Sequence, residues 1–106
     1  MHTTVSSKRD ALAALCRRFH IQRLEVFGSA ARGADFDAHR SDADFLIVFE
    51  PGVTPTITLL LDVEDAMEQV LGRPVDLVER QVVEASPNYL RRRRILREAE
   101  PVYVAG

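Results

Sequence analysis

Five consecutive apolar residues, Phe45 to Phe49, follow directly on the tetrapeptide Ser41-Asp42-Ala43-Asp44. A short continuous apolar run that ends at Pro51-Gly52 predicts a central strand buried on both faces. Successive side chains of a strand alternate between its faces, so Asp42 and Asp44 should point the same way, roughly 6 to 7 Å apart by strand rise. The chain must therefore fold around a central sheet that carries two like charges at the start of its most buried strand.

The acidic side chains beside this strand suggest a site for a divalent cation. Mg²⁺ would relieve the repulsion between Asp42 and Asp44, because it favours carboxylate oxygens together with substrate phosphates. Asp76 lies inside the apolar segment Val75 to Val78, where a charge is costly unless it is paired or bound to metal. Three carboxylates on neighbouring strands can hold two metal ions, the geometry used to displace pyrophosphate from a nucleotide. The alternatives are a solvated turn for the first two acids and a strand-end aspartate held by an arginine for the third.

The dipeptide Gly28-Ser29 follows an apolar segment and precedes a short helical stretch. A helix N-terminus presents free N–H groups to an anion, glycine lets the backbone approach a phosphate closely, and the serine hydroxyl adds a donor. The alternative is an ordinary strand-to-helix turn with Ser29 as its N-cap. No Gly-Lys-Ser or Gly-Lys-Thr follows, so this is not a Walker A loop. Together with the three acids, the turn predicts a site that handles phosphates.

The composition is that of an ordinary globular protein. The 106 residues, 46 % of them hydrophobic and 28 % charged, are enough for one domain, and the net charge of −2 argues against bulk binding of nucleic acid. Cys16 has no cysteine partner, and the three histidines lack ligand spacing. The N-terminal segment, Met1 to Thr4, is not followed by the apolar core of a signal peptide. The longest apolar runs fall far short of the ~20 residues that span a bilayer. These features predict a cytoplasmic protein without a membrane span.

The hydrophobic periodicities predict an α/β fold, a small mixed β-sheet with helices packed against it in a single domain, residues 1–106. The predicted strands cover residues 21–27, 43–49, 75–78 and, at the edge, 102–104. The predicted helices cover residues 7–19, 29–32 and 59–71, and a last helix starts at Asn88 or at Ser86-Pro87 and runs to about residue 99. Ser7 and Asp10 resemble a capping box for the first helix, and Gly72 is placed to end the third. Residues 34–41 form a polar loop.

Four consecutive arginines, Arg91 to Arg94, lie in the last predicted helix. A helix turns by about 100° per residue, so the four go nearly all round it. A stripe through Tyr89, Leu96 and Ala99 includes Arg92 and Arg93, so at least one arginine should lie against protein. Its role is either a side-chain stem packed on the core or a contact with an anion: a triphosphate, a site carboxylate or an acidic partner.

Four segments carry a resemblance to a known family. They are Gly28–Gly33 (GSAARG), Ser41–Val48 (SDADFLIV), Val75–Val78 (VDLV) and Tyr89–Ala99 (YLRRRRILREA). Their combination resembles the nucleotidyltransferases of the DNA polymerase β superfamily, and most closely the minimal nucleotidyltransferase (MNT) antitoxins paired with HEPN toxins. The loop from Gly33 to Ser41, which carries Asp35, Asp37 and His39, is longer than is usual in that family.

The resemblance implies roles for six residues. Asp42 and Asp44 would be Mg²⁺ ligands, and Asp76 would be the third catalytic and metal-binding carboxylate, near the acceptor hydroxyl. Gly28, Ser29 and Arg32 would bind the nucleotide, with ATP as the expected substrate.

The function implied by the resemblance is transfer of AMP from ATP to a hydroxyl of a partner HEPN ribonuclease toxin, with tyrosine as the expected acceptor. The small size of the chain favours a protein acceptor, because enzymes that modify small molecules or RNA by this chemistry generally need extra domains. One rival interpretation is a catalytically inactive binding module that neutralises the partner by occlusion. Another is an aminoglycoside-type nucleotidyltransferase that works with a separately encoded subunit. No membrane partner and no direct contact with nucleic acid are expected.

Overall fold

The computed structural model describes residues 1–33 and 42–106 of the chain. The predicted loop over residues 34–41, with Asp35, Asp37 and His39, lies outside them. Along the described residues the elements follow in the order α1 (Thr3–Ser6), α2 (Arg9–Arg18), β1 (Ile21–Phe27), α3 (Ser29–Arg32), β2 (Ala43–Phe49), α4 (Ile57–Leu71), β3 (Val75–Glu79), α5 (Arg80–Glu84), α6 (Tyr89–Glu98) and β4 (Glu100–Val104). None of these helices combines the length and the apolar character that a bilayer span requires.

The four described strands form one mixed sheet in the order β3-β2-β1-β4. Strand β1 is antiparallel to both β2 and β4, whereas β2 and β3 are parallel and are joined through α4. The apolar run Phe45 to Phe49 is thus part of an interior strand, as predicted, and its side chains are buried on both faces. The predicted α/β fold with a small mixed sheet is confirmed.

Helices α2 and α4 cover one face of the sheet and form the larger core. Leu12, Leu15 and Cys16 face inward from α2 because they recur at helical spacing, and Val63 and Met67 do so from α4. These side chains pack against the alternate residues of β1 and β2 that point to this face. Burial raises the pKa of the Cys16 thiol to about 12, so this cysteine is an unreactive core residue, as the sequence predicts.

Helices α5 and α6 cover the other face over a smaller core. Its buried members are Phe27, Leu46, Val83 and Ile95. The even-numbered residues of β2 point to this face, and Asp44 is one of them because it lies two residues before Leu46. The candidate acids therefore share a face with α6.

The predicted start of the first helix is wrong, and one short helix was not predicted. Ser7 does not begin a helix, because it is the C-cap of the one-turn helix α1, and α2 begins at Arg9 without a side-chain cap. The separate turn exists because the Nδ1 atom of His2 accepts a hydrogen bond from the Thr4 N–H at 3.0 Å and because Val5 is buried in the core. Helix α5 was not predicted at all, since its five residues are too few to show a period.

Other local signals are confirmed. Gly72 ends α4 in the left-handed conformation, with φ 70° and ψ 28°. Asn88 begins α6, and its side-chain oxygen accepts a hydrogen bond from the Arg91 N–H at 3.2 Å. The last strand, β4, lies at the sheet edge as predicted.

Glu25 is the one charged or polar residue that is fully buried among the described residues. It lies on β1 opposite Leu46, on the face covered by α5 and α6. Its carboxylate accepts a hydrogen bond from the Nη1 of Arg80, the first residue of α5, and pairs with the Nε of Arg23 at 3.2 Å. A buried carboxylate is tolerable only with such partners. The pair therefore fixes α5 to the sheet.

We expect Arg80→Met to lower the free energy of unfolding by about 2 kcal/mol, because it leaves the buried Glu25 carboxylate with Arg23 alone. Chemical denaturation of both proteins would measure the difference. Arg97→Met, which removes an exposed arginine of α6, is the matched control and should change stability by less than about 0.5 kcal/mol. Equal losses in the two variants would contradict this account of Glu25.

Candidate active site

The sheet register brings two of the predicted acids side by side. Asp44 on β2 is the direct partner of Asp76 on the parallel strand β3. On its other side Asp44 is the direct partner of Phe27, the last residue of β1. Directly paired residues on adjacent strands project their side chains to the same face. The two carboxylates and the turn that follows Phe27 therefore occupy one end of one sheet face.

Asp44 has the most perturbed carboxyl group of this site. Burial and then the nearby charges of Asp76 and Asp42 together raise its pKa from 3.8 to about 6, while Arg32 acts in the opposite direction. Asp44 is therefore close enough to both other predicted acids to be affected by their charges.

The burial of the acids differs from the prediction. Asp76 is exposed, although its neighbour Val75 is buried, whereas Asp44 is half-buried. Of these two carboxylates the more costly is thus Asp44 rather than Asp76. The reason is the position of β3 at the edge of the sheet, where an apolar strand segment still has one open side.

Gly28 links β1 to α3 in a conformation that suits glycine alone, with φ 67° and ψ −150°. Its carbonyl accepts hydrogen bonds from the N–H groups of Ala31 and Arg32, both at 3.1 Å. A Cβ at this position would lie 2.8 Å from the Oδ2 of Asp44. From the sequence, glycine was expected here because it makes space for a phosphate. The structure gives a more direct reason, because strand β2 with Asp44 lies directly against the turn.

A cleft of about 320 Å³ opens beside this turn. It is lined by Phe27, Gly28, Ser29, Arg32, Asp44, Arg91, Arg94, Ile95 and Glu98. Four predicted site residues thus border one cleft, together with one face of α6. Two other predicted site residues, Asp42 and Asp76, are absent from this lining, and their charges act on Asp44 from beside it.

The face of α6 that borders the cleft was missed by the sequence analysis. Arg91, Arg94, Ile95 and Glu98 recur at the spacing of one helix face, and Ile95 is its buried residue. Tyr89, through which the predicted stripe ran, is 55 % exposed. A stripe drawn through Arg91, Ile95 and Glu98 would have found this face.

The prediction that one arginine of the run lies against protein is confirmed for Arg92. Its side chain is half-buried, its Nη1 donates a hydrogen bond to the Ser86 carbonyl at 2.9 Å, and its guanidinium carbon lies 5.5 Å from the centroid of the Tyr89 ring. Arg93, predicted to share that stripe, is exposed. The run therefore divides into residues with different surroundings.

The acids suit a hard cation by their chemistry. Carboxylate oxygens are the ligands that Mg²⁺ prefers, and a cation would relieve the repulsion that raises the Asp44 pKa. Within residues 1–33 and 42–106, however, no three histidine, cysteine, aspartate or glutamate side chains already surround a common point where a metal ion could bind. The two findings agree, because electrostatic coupling reaches farther than a coordination bond. The acids lie at one end of one sheet face and their charges affect Asp44, but a bound ion would have to draw the carboxylates closer together.

Comparison with known proteins gives consistent matches. The family model for the nucleotidyltransferase domain matches residues 8–102. The chain is 38 % identical over 64 residues to the protein adenylyltransferase MntA of Thermococcus cleftensis, which covers 60 % of this chain and 61 % of that protein. It is 27 % identical over 66 residues to a candidate protein adenylyltransferase of Methanocaldococcus jannaschii, covering 62 % and 64 %. The chain thus spans a little over three fifths of the length of these curated relatives.

Solved structures share the fold. One, of a candidate minimal nucleotidyltransferase, has a TM-score of 0.71 at 36 % identity and covers 95 % of this chain and 96 % of that one. A toxin–antitoxin complex with AMP-PNP matches with a TM-score of 0.67 at 17 % identity, covering 92 % and 73 %. A tri-AMPylated Shewanella oneidensis HEPN toxin in complex with MNT antitoxin matches with a TM-score of 0.63 at 15 % identity, covering 94 % and 72 %. At those identities the last two are likenesses of fold.

We expect Gly28→Ala to lower the free energy of unfolding by about 2 to 3 kcal/mol, because the new Cβ meets the Asp44 carboxylate and the backbone angles disfavour alanine. Gly72→Ala is the matched control. Gly72 also has a positive φ, but no atom lies within 4 Å of a Cβ added there, so its cost should be about 1 kcal/mol. Thermal and urea denaturation would compare the two, and equal losses would remove Asp44 from the explanation.

The raised pKa of Asp44 also predicts how stability depends on pH. Between its ordinary value of 3.8 and about 6, the folded chain holds a proton that the unfolded chain has lost. Ionised Asp44 therefore destabilises the fold, and this effect grows as the pH rises through that range.

In metal-free buffer, we expect Asp44→Asn to raise the free energy of unfolding at pH 8 by about 1 kcal/mol. The gain is no larger because solvent screens the charge of this half-exposed side chain. The gain should shrink at pH 5. Asp62→Asn, at an exposed position on α4, is the control and should show neither effect. Denaturant titrations at the two pH values measure this, and a gain that is the same at both would argue against a raised Asp44 pKa.

Proposed function

This chain belongs to the nucleotidyltransferase domain family, and on that premise we propose that it transfers AMP from ATP to a hydroxyl group of a partner protein. The observation that carries the proposal is the placement of Asp44 between Asp76 and the Gly28 turn, on one end of one sheet face. It unites acids that suit a metal ion with a cleft that is bordered by a serine hydroxyl and by arginine. We further propose that residues 1–106 form one such domain, since Val5 and Val102 both belong to its core.

In the proposed reaction the acceptor oxygen bonds to the α-phosphorus of ATP. The bond from that phosphorus to the bridging oxygen breaks, pyrophosphate leaves, and the hydroxyl proton is released. Ser29 and Arg32 would bind the triphosphate from α3, with Gly28 allowing close approach. Mg²⁺ held by Asp42, Asp44 and Asp76 would supply positive charge that stabilises the phosphates in the transition state.

Asp76 is exposed, and this property suits a protein acceptor. A hydroxyl carried on another protein can reach Asp76 without displacing any of the residues that the structure describes, whereas half-buried Asp44 borders the cleft. We therefore assign Asp76 to the side of the acceptor and Asp44 to the side of the nucleotide.

The proposed acceptor is a tyrosine of a HEPN ribonuclease toxin, and the chain would be its antitoxin in a hetero-oligomer. One relative and one fold neighbour support this. The Thermococcus cleftensis protein is a protein adenylyltransferase, and one fold neighbour is an MNT antitoxin in complex with a tri-AMPylated HEPN toxin. A fold neighbour with bound AMP-PNP supports ATP as the substrate. Both ATP and the RNA that such a toxin cleaves place the reaction in the cytoplasm.

The direct test incubates the chain with ATP, Mg²⁺ and the product of the neighbouring gene. Intact mass spectrometry should show the partner heavier by one or more adenylyl groups, and peptide mapping should place them on a tyrosine. Replacing Mg²⁺ with a chelator should abolish the change. A partner of unchanged mass in a stable complex would instead favour neutralisation by occlusion.

We expect Asp44→Asn to slow transfer by about 10²-fold or more, because it keeps the shape of the side chain and removes a charge that would hold the metal ion. The partner should still co-purify with the variant, since one amide at the cleft barely changes an interface. Growth of cells that express the partner should then fail. Full protection of those cells by a variant shown to be inactive in transfer would exclude the enzymatic account and leave occlusion.

A further inference from the structure

The arginine run of α6 divides among three surroundings. Arg92 is used structurally, because it is bonded to the Ser86 carbonyl. Arg93 and Arg97 are exposed and border a second cleft with Leu90, whose lining Arg94 and Glu98 share. Arg91 and Arg94 border the cleft that also contains the Gly28 turn and Asp44.

The burial of Ile95 fixes which arginines face the cleft. Its side chain is 7 % exposed and packs in the small core with Phe27 and Leu46. Arg91 lies four positions before it on the same helix face, and Arg94 lies four positions before Glu98, which also borders the cleft. The packing of one isoleucine therefore places the side of α6 that carries Arg91 and Arg94 along the cleft.

An ion-pair chain connects this face of α6 to α3. Glu98 accepts a hydrogen bond from the Nη1 of Arg32 at 2.8 Å, and its other oxygen lies 3.5 Å from the Nε of Arg94. Glu98 thus links a residue of the Gly28–Gly33 segment to the arginine run, across 66 positions of sequence. Three arginines and two carboxylates then border one cleft, and the excess of positive charge suits an anion.

We propose that Arg91 and Arg94 bind the pyrophosphate portion of the nucleoside triphosphate, in addition to the contacts from α3. This inference rests on the proposed function. The α-phosphorus must lie near Asp44 and Asp76 for transfer, and the lining of the arginine-bordered cleft includes Asp44 but not Asp76 among the described residues. The β- and γ-phosphates would therefore extend toward α6. The planar guanidinium fork matches phosphate oxygens with two parallel hydrogen bonds.

The same contacts would act in the reaction. Negative charge accumulates on the β-phosphate as the bridging bond breaks and pyrophosphate leaves. Guanidinium groups already placed there stabilise that charge without reorganisation. Arg91 and Arg94 would therefore assist departure of the leaving group.

The test measures binding by calorimetry on the full 106-residue chain at physiological salt with Mg²⁺. The probes are a non-hydrolysable ATP analogue, inorganic pyrophosphate and AMP. We expect Arg91→Ala and Arg94→Ala each to weaken binding of the analogue and of pyrophosphate by about tenfold, the size of a lost charge-assisted hydrogen bond. Their affinity for AMP should be unchanged. Arg91→Lys and Arg94→Lys, which keep the charge and lose the fork, should fall between parent and alanine variants.

Arg93→Ala and Arg97→Ala are the matched controls. Each removes the same charge from the same helix, so each reports the general electrostatic field alone, and we expect a change of less than about threefold for all probes. Circular dichroism would confirm that every variant is folded.

Equal losses in the controls, or unchanged pyrophosphate binding by the alanine variants, would overturn the assignment of Arg91 and Arg94. A loss of AMP affinity as large as that for pyrophosphate would move the contact away from the leaving group and also overturn it. Failure of the parent chain to bind any nucleotide would instead overturn the proposed function itself, so the two failures are distinguishable.

Discussion

Strand β2 determines the geometry of the site because it pairs in parallel with one neighbour and antiparallel with the other. Its parallel pairing sets Asp44 beside Asp76, and its antiparallel pairing sets the same residue beside Phe27. The candidate site thus lies at the carboxyl end of β1 and at the amino ends of β2 and β3. A one-residue slip in either pairing would turn Asp44 away from its partners. Register is therefore the constraint on which both the acidic cluster and the cleft depend.

The ionised side chain of Asp44 destabilises the fold, and its surroundings increase this free-energy cost. Burial and two like charges oppose its ionisation, and its carboxylate comes so close to the turn that a Cβ on Gly28 would collide with it. Nothing in the packing of the small core requires a carboxylate at this position. Strain of this kind is typical of functional positions rather than of structural ones.

The sequence predicts those parts of the fold that depend on neighbouring residues. The central strand follows from its apolar run, and Gly72 and Asn88 bound their helices through interactions within a few residues. The predictions fail where distant segments decide. Helix α1 exists because Val5 reaches the core, and the orientation of α6 is set by Ile95 against β1 and β2. The acids of the site could be named from their pattern, but the exposure of Asp76 depends on its strand lying at the sheet edge.

The tie between Glu25 and Arg80 has a consequence for the entropy of binding. Helix α5 is fixed to β1 by that pair, α5 contacts α6, and α6 is joined to α3 through Glu98 and Arg32. The backbone that carries Arg91 and Arg94 is therefore ordered before any ligand arrives. A ligand in the cleft would have to restrict a few long side chains rather than a helix and its connections. Conformational freedom of that kind costs about 1 to 2 kcal/mol for each backbone residue that is fixed. A buried ion pair that touches no substrate thus helps to determine how tightly a distant cleft can bind.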